Sequence, residues 1–496
     1  MRFLFSILHV LFFSLIAAAT QRPNVVIIYA DDLGWGSLSC YGQTDYETPH
    51  LDRMATEGAR LTSFYVSTPS CGPSRVALLT GRYPFRTGVP FNPAPDAGRN
   101  HGIKASEITL AELLKSQGYA TQIVGKWHLG HLPEYYPTRH GFDAYFGILY
   151  SNDMRPVMLC RDEDAVEYPV VQNYLTQRYT EEAVSFIEAN KDGPFFLYFP
   201  HAMPHKPLAA SEAFYKPGGQ ASDLYASVIR ELDWSVGQVL EALRTAGVED
   251  NTLVLFSSDN GPWYGGDTGG HRGMKGSSWE GGIRVPGIFW WPGQIPAGQT
   301  IDIPCATIDL FPTICSLINI DPEPYDLDGY NIWNLLKSDD KGPDRAVFAW
   351  NGVNLMSARE GRWKLHRTAP RAFERGIKEV VWIDNRGPDG HTIIAPFEQS
   401  EPWEYPSPPD TPQTAPSKKI QLFDLQTDPY EQTEVTSRHP EVVARLQALM
   451  EAELATVGEV APINPSNVQY NLGPGRIAED NPMTIEEAMK KTFGAP

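Results

Sequence analysis

Val25-Val26-Ile27-Ile28-Tyr29-Ala30-Asp31-Asp32 decides the architecture. Its apolar, mostly β-branched run has no polar alternation. That pattern marks a strand buried on both faces, as in a parallel sheet covered by helices. The run closes in two carboxylates and then Leu33-Gly34-Trp35-Gly36. Ligands of open parallel sheets gather at the carboxyl ends of strands. Asp31 and Asp32 therefore stand where oxygen ligands of a hard cation are expected. An Asp pair taken alone is equally an ordinary turn or cap.

The same punctuation recurs outward along the chain. Residues 61–66, 121–124, 194–199, 252–256 and 285–291 read as further strands. Three of them end in Gly125-Lys126-Trp127-His128, in the stretch His201 to Pro207, and in Asp259-Asn260-Gly261. Helices are expected from Thr48 to the stop at Gly58, at 75–80, 180–190 and 224–243, and behind Thr109. Thr109 and Glu112 have capping-box spacing, with Gly118 as the stop. Strand–helix–strand units of this kind predict an α/β fold with a large, mainly parallel central sheet flanked by helices. Beyond about residue 346 the texture changes to short strands (347–350, 363–366, 421–425) and a helix at 440–454. A smaller C-terminal α+β subdomain is expected over 346–460, including a Pro/Ser/Thr-rich loop at 399–418. Residues 461–496 read as an irregular extension with a short helix at 484–491, and 20–345 as the main domain.

The bulk numbers exclude some functions. A chain of 496 residues that is 42% hydrophobic and 20% charged buries a large core. Its formal net charge of −19, with no Lys/Arg-rich run, argues against a nucleic-acid partner. Residues 1–19 combine Arg2, an apolar stretch and Ala17-Ala18-Ala19, the order of an export signal. The stretch is too short for a membrane span, so a periplasmic or extracellular protein without a transmembrane anchor is expected. Five cysteines remain (Cys40, Cys71, Cys160, Cys305, Cys315), whose pairing the sequence leaves open.

Cys71-Gly72-Pro73-Ser74-Arg75 follows the strand at 61–66 and opens a helix. Pro73 suits a first helical turn, and Cys71 then lies at a helix N-terminus, where negative charge is favoured. A lone cysteine there is usually a small buried apolar group. Lys126, His128, His205 and Lys275 are basic candidates at strand ends or in Gly-rich loops. Each alone is ordinary; together with Arg75 they form a positive pocket within an acidic protein.

With Leu79-Thr80-Gly81-Arg82 following, the cysteine stretch resembles the signature of type I sulfatases (Cys-x-Pro-Ser-Arg, then Thr-Gly-Arg). Asp31-Asp32, Gly125-Lys126-x-His128, Asp259-Asn260-Gly261, Lys275-Gly276 and Glu280-Gly-Gly extend the likeness. Tyr150-Ser151-Asn152-Asp153 looks most like the arylsulfatase A branch. The resemblance implies an alkaline-phosphatase-like fold and oxidation of Cys71 to formylglycine (3-oxoalanine) by a dedicated machinery. It implies Ca²⁺ on Asp31, Asp32, Asp259, Asn260 and the modified Cys71. It further implies sulfate held by Lys126, Lys275, His205 and Ser151, a leaving alcohol protonated by His205 or Lys275, Arg75 orienting the nucleophile, and His128 taking a proton to release sulfate. The implied reaction is hydrolysis of a sulfate monoester, on a sulfated carbohydrate. A phosphonate or phosphodiester hydrolase and an inactive carbohydrate-binding relative are the alternatives.

Overall fold

A computed structural model describes residues 22–154, 157–215, 221–263, 266–338, 342, 345–367, 385–386, 393–394, 420–458 and 475–493. The expected leader at 1–19 and the loop at 399–418 lie outside these residues, as does 461–474.

Among the described residues there are eighteen strands, in chain order: β1 Asn24–Ala30, β2 Ala59–Tyr65, β3 Ala120–Lys126, β4 Ala144–Ile148, β5 Leu159–Arg161, β6 Asp164–Glu167, β7 Phe195–Pro200, β8 Thr252–Ser258, β9 Arg284–Trp290, β10 Gln299–Ile301, β11 Cys305–Ala306, β12 Ala346–Asn351, β13 Asn354–Glu360, β14 Trp363–His366, β15 Asn385–Arg386, β16 Ile393–Ile394, β17 Gln421–Asp424 and β18 Met483–Thr484. Twelve form one sheet in the order β10-β2-β9-β8-β1-β7-β3-β4-β5-β6-β18, with β11 on β2. Its centre, β8-β1-β7-β3-β4, is all parallel. Antiparallel strands flank it on both sides.

The apolar run of β1 lies in the middle. Val25, Ile27 and Tyr29 enter one core, and Val26, Ile28 and Ala30 enter the other. All six are at most 1% exposed. The missing polar alternation is thus explained: both faces of β1 are covered. Register then fixes the site. Ala30 lies opposite Ser258, and Tyr29 opposite Pro200. Lys126 lies opposite Ile148. The residues following these strands emerge together at one edge.

Helices α1 Pro49–Glu57, α2 Cys71–Thr80, α3 Pro84–Thr87, α4 Leu110–Ser116, α5 Leu175–Asn190 and α6 Ala221–Thr245 complete the first half. The capping box at Thr109 and Glu112 forms as its spacing predicts. Then come α7 Glu280–Ile283, α8 Leu310–Leu317, α9 Trp333–Leu336, α10 Pro440–Leu454 and α11 Ile485–Phe493. Strands β4 to β6 and helix α8 were not expected. β4 is apolar but only five residues long and interrupted by Gly147, β5 and β6 are short and mixed in polarity, and the apolar run of α8 lacks helical punctuation.

A second sheet, β12-β13-β14-β17, is antiparallel throughout. It meets the large sheet through buried charge. Lys364 of β14 donates to Glu280 Oε1 at 2.8 Å and sits 3.1 Å from Glu431 Oε1. Glu431 Oε2 accepts the Glu280 backbone N–H at 2.7 Å, and its Oε1 accepts from His366 Nε2 at 2.6 Å. Tyr65 of β2 donates to Glu280 Oε2 at 2.7 Å. Lys364, His366, Glu280 and Glu431 are all 0% exposed. Burial pushes the Glu431 carboxyl up, but Lys364 and the bond from His366 outweigh it and bring it down to about 2. The described C-terminal residues also return to the large sheet, where β18 pairs antiparallel with β6.

Removing one partner of a buried ion pair strands the other charge. Lys364→Met is therefore expected to cost about 3 kcal/mol of stability, read by urea unfolding. Because Glu431 is depressed in the fold, its contribution is present above the ordinary Glu value of 4.5 and is lost as pH falls from there toward about 2. Thermal unfolding from pH 6 to pH 2.5 should show this loss, and Glu431→Gln should flatten it.

Candidate active site

Helix α2 begins at Cys71, with Ser70 extended before it, and stops at Gly81 in the left-handed region (φ 66°). Cys71 is 1% exposed. The next residue must be small, because a Cβ at Gly72 would lie 2.7 Å from the His128 carbonyl oxygen. Asn92 Oδ1 accepts the Gly72 N–H at 2.9 Å and the Ser70 hydroxyl at 3.1 Å, fixing this first turn. Burial pushes the Cys71 thiol well above its ordinary value, despite nearby Lys126 and Lys275. An unmodified Cys71 is therefore a poor nucleophile at neutral pH.

Beside it, the ends of β1 and β8 interlock. The Asp32 N–H donates to Asp259 Oδ1 at 3.1 Å, and Asn260 Nδ2 donates to Asp32 Oδ1 at 2.6 Å. Asp32 and His128 both adopt left-handed backbone (φ 62° and 60°), a strained choice for residues with side chains. Arg75, fully buried, puts Nε and Nη2 on Asp259 Oδ2 at 3.0 and 2.7 Å and Nη1 on the Lys126 carbonyl at 3.0 Å. Lys126 Nζ donates to Asp31 Oδ2 and, at 3.1 Å, to Ser151 Oγ. Lys275 Nζ lies 2.7 and 2.9 Å from the two Asp32 oxygens. His205 Nε2 lies 3.6 Å from Asp32 Oδ2 and 3.5 Å from Ser151 Oγ. All eleven residues singled out for catalysis, substrate or metal thus gather at one sheet edge.

Burial sets the protonation states. It raises Asp32 to about 6, against the pull of Lys275. It also raises Asp259, with Asp31 adding to the effect. For Asp31 burial is outweighed by Lys126 and Arg75, and the carboxyl is lowered. Burial and neighbouring cations hold His128 and His205 well below the ordinary range, hence neutral. The backbone carbonyls assign their tautomers. His205 Nδ1 faces the Lys206 carbonyl at 2.6 Å, and His128 Nε2 faces the Pro93 carbonyl at 3.1 Å. His128 Nδ1 is left as a buried lone pair without a partner. Lys275 would be lowered by burial, but Asp32 raises it well above its ordinary value, so it keeps its proton.

Three buried carboxylates (Asp31, Asp32, Asp259) face three cations, the buried Arg75 and Lys126 and the partly exposed Lys275. The side chains alone leave no surplus positive charge for an anionic substrate. Asp31 Oδ1 and Asn260 Oδ1 are buried oxygens without a hydrogen-bond partner. Ligand atoms of Asp31, Asp32, Cys71 and His205 lie within 4.8 Å of one another. This oxygen-rich donor set fits a hard divalent cation.

Above these groups opens a cleft of about 390 Å³, into which Asp32, Cys71, His128, Ser151, His205 and Lys275 face. Asp31, Arg75, Lys126, Asp259 and Asn260 are absent from its lining and support those that line it. Asn92, Asp153, Lys206, Trp263 and Asn351 also line it, and sequence reasoning did not single them out for the site. Asp153 and Lys206 adjoin chosen residues, whereas Asn92, Trp263 and Asn351 carry no local signal. Asn351 ends β12, so the second sheet supplies part of the wall.

Residues 23–320 match the Sulfatase family. The chain belongs to the sulfatase family. It is 40% identical over 386 residues to N-acetylgalactosamine-6-sulfatase of Sus scrofa, covering 71% of this chain and 73% of that protein. Arylsulfatase A of Bos taurus is 32% identical over 508 residues, covering 95% and 93%. Among solved structures, Ps i-CgsB in complex with k-i-k-neocarrahexaose superposes with a TM-score of 0.71 at 28% identity, over 88% of this chain and 93% of that one. The protein is a sulfuric ester hydrolase of alkaline-phosphatase-like architecture. Among the described residues, no helix of this sulfatase is long and apolar enough to cross a membrane, and all five cysteines are unpaired.

If the orphaned oxygens are cation ligands, Ca²⁺ should stabilise the chelator-treated sulfatase. At about 100 times its Kd the gain is about 2.7 kcal/mol, seen as a raised Tm. Asn260→Leu should blunt that response, and indifference of the wild type to Ca²⁺ would count against the site.

Proposed function

We propose that this sulfatase removes sulfate from a sulfated carbohydrate, using a formylglycine formed from Cys71 and a bound Ca²⁺. The observation that carries the reading is the placement of Cys71. It faces the cleft at the start of α2, beside the Asp31–Asp32 and Asp259–Asn260 ends and the basic side chains. The sugar-directed part draws on the N-acetylgalactosamine-6-sulfatase likeness and on the neocarrahexaose-bound structural relative. The leader-like residues 1–19 support export to the periplasm or outside, with modification by formylglycine-generating machinery on the way.

When formed, the formylglycine supplies as its hydrate an oxygen nucleophile that Cys71 itself does not offer. Asp31, Asp32, Asp259 and Asn260, with the modified residue, would hold the cation, whose charge supplies the missing positive balance. The chain's own groups do the rest. Lys126, Lys275 and Ser151 donate to sulfate oxygens, and His205 joins them through Nε2 when that nitrogen is protonated. Arg75 acts through Asp259, fixing the carboxylate that takes the proton of the attacking hydroxyl. Lys275 keeps its proton, so of the two acid candidates it is the one charged and ready to protonate the leaving alcohol. His128 presents the unpartnered Nδ1 lone pair, suited to accept the proton whose removal releases sulfate.

The test is free sulfate, with phosphate in parallel, released from sulfated mono- and oligosaccharides, an aryl sulfate and a phosphonate ester. The enzyme comes from a host that makes formylglycine, and mass spectrometry confirms conversion at residue 71. Sulfate release from a sugar, abolished in a folded Cys71→Ala variant, is the expected result. Release confined to the phosphonate would replace this reading by the phosphonate hydrolase. Activity persisting in Cys71→Ala would overturn the formylglycine mechanism.

A further inference from the structure

Above the reacting groups, two segments far apart in sequence meet on the rim of the cleft. Asn92 follows Phe91, and Asn351 precedes Gly352 and Val353; both asparagines line the cleft. Phe91 is 42% exposed and Val353 37%, two of only five large apolar side chains that exposed among the described residues. Isolated exposed apolar residues are common and need no explanation. This pair differs because its two segments are fitted to each other. Gly352 adopts φ 60°, and a Cβ there would lie 2.4 Å from Phe91 Cζ, so the aromatic ring rests directly on bare backbone of the β12–β13 turn. The Phe91 carbonyl accepts from His101 Nε2 at 2.8 Å, which ties its backbone in place. A flat apolar ring is thereby held at the surface, flanked by two cleft-lining amides.

We infer that Phe91, seated on Gly352 beside Val353, forms a sugar-binding subsite for the unit adjoining the sulfated one, with Asn92 and Asn351 between the two. An aromatic ring offers its face to the C–H side of a pyranose, while amides serve the hydroxyls. Asn92 Oδ1 is already engaged by Gly72 and Ser70, so its contribution is the cleft wall. Asn351 stands at the strand end where the cleft opens onto the ring. The substrate class that follows is an oligosaccharide, read over at least two units. This inference rests on the carbohydrate reading above.

The test compares sulfate release from N-acetylgalactosamine 6-sulfate, free and at the end of a tetrasaccharide. Wild-type enzyme is expected to prefer the tetrasaccharide. Phe91→Ala should lower kcat/KM for the tetrasaccharide about tenfold, through KM, and erase that preference. Phe91→Trp should restore it. Gly352→Val, whose side chain must displace the ring, should reproduce the loss. Equal effects of Phe91→Ala on both substrates, or a wild type that prefers the free sugar, would overturn the subsite while leaving the sulfatase reading intact. Release from neither substrate, together with none from the sulfated mono- and oligosaccharide panel, would remove the carbohydrate reading and the subsite with it.

Discussion

The structure turns on one buried balance of charge. Arg75, Lys126 and Lys275 stand among Asp31, Asp32 and Asp259, and all but Lys275, which faces the cleft, are withdrawn from water. Burying an unpaired carboxylate is so costly that it would protonate instead. Each carboxylate therefore has a cation within contact distance, supplied by a different element. Arg75 comes from α2, Lys126 from the end of β3, and Lys275 from the loop behind β8. The fold has to deliver all three to one sheet edge, and the parallel centre does so. Adjacent parallel strands end on the same side, so their following residues converge without further design.

That balance also assigns work. Arg75 spends its hydrogen bonds on Asp259 and on the Lys126 backbone, which makes it a positioning group. Lys126 and Lys275 each hold an acid that a divalent cation would claim, leaving them free to turn to a sulfate. Behind them, the buried Glu280–Lys364–Glu431 cluster anchors the loop bearing Lys275 to the second sheet. The smaller sheet thus steadies the loop that carries one cleft-lining cation and, through Asn351, walls the cleft.

Much of this was legible in the residues. β1 declared itself by an apolar run with no alternation, and the cysteine stretch by its long fixed pattern. Asp259 and Asn260 were legible because they repeat, at the end of β8, the position of Asp31 and Asp32. What was not legible arises from contacts between distant segments. Phe91 and Gly352 are unremarkable in their own neighbourhoods, and only folding sets one on the other. Lys364, His366 and Glu431 carry no local signal, because nothing nearby in sequence reveals that the second sheet packs them against Glu280. β4 to β6 escaped because strands of three to five residues carry little periodicity, and their pairing is set by the neighbouring strand.

The pairing of β18 with β6 has a bearing on how the chain is made. A nascent chain emerges from its N-terminus, so β6 is synthesised some three hundred residues before the strand that covers it. Until then β6 leaves one margin of the large sheet unclosed, with backbone groups ready to recruit another chain. The late-made β18 is thus a seal, and its deletion would be felt as self-association along the exposed β6 margin.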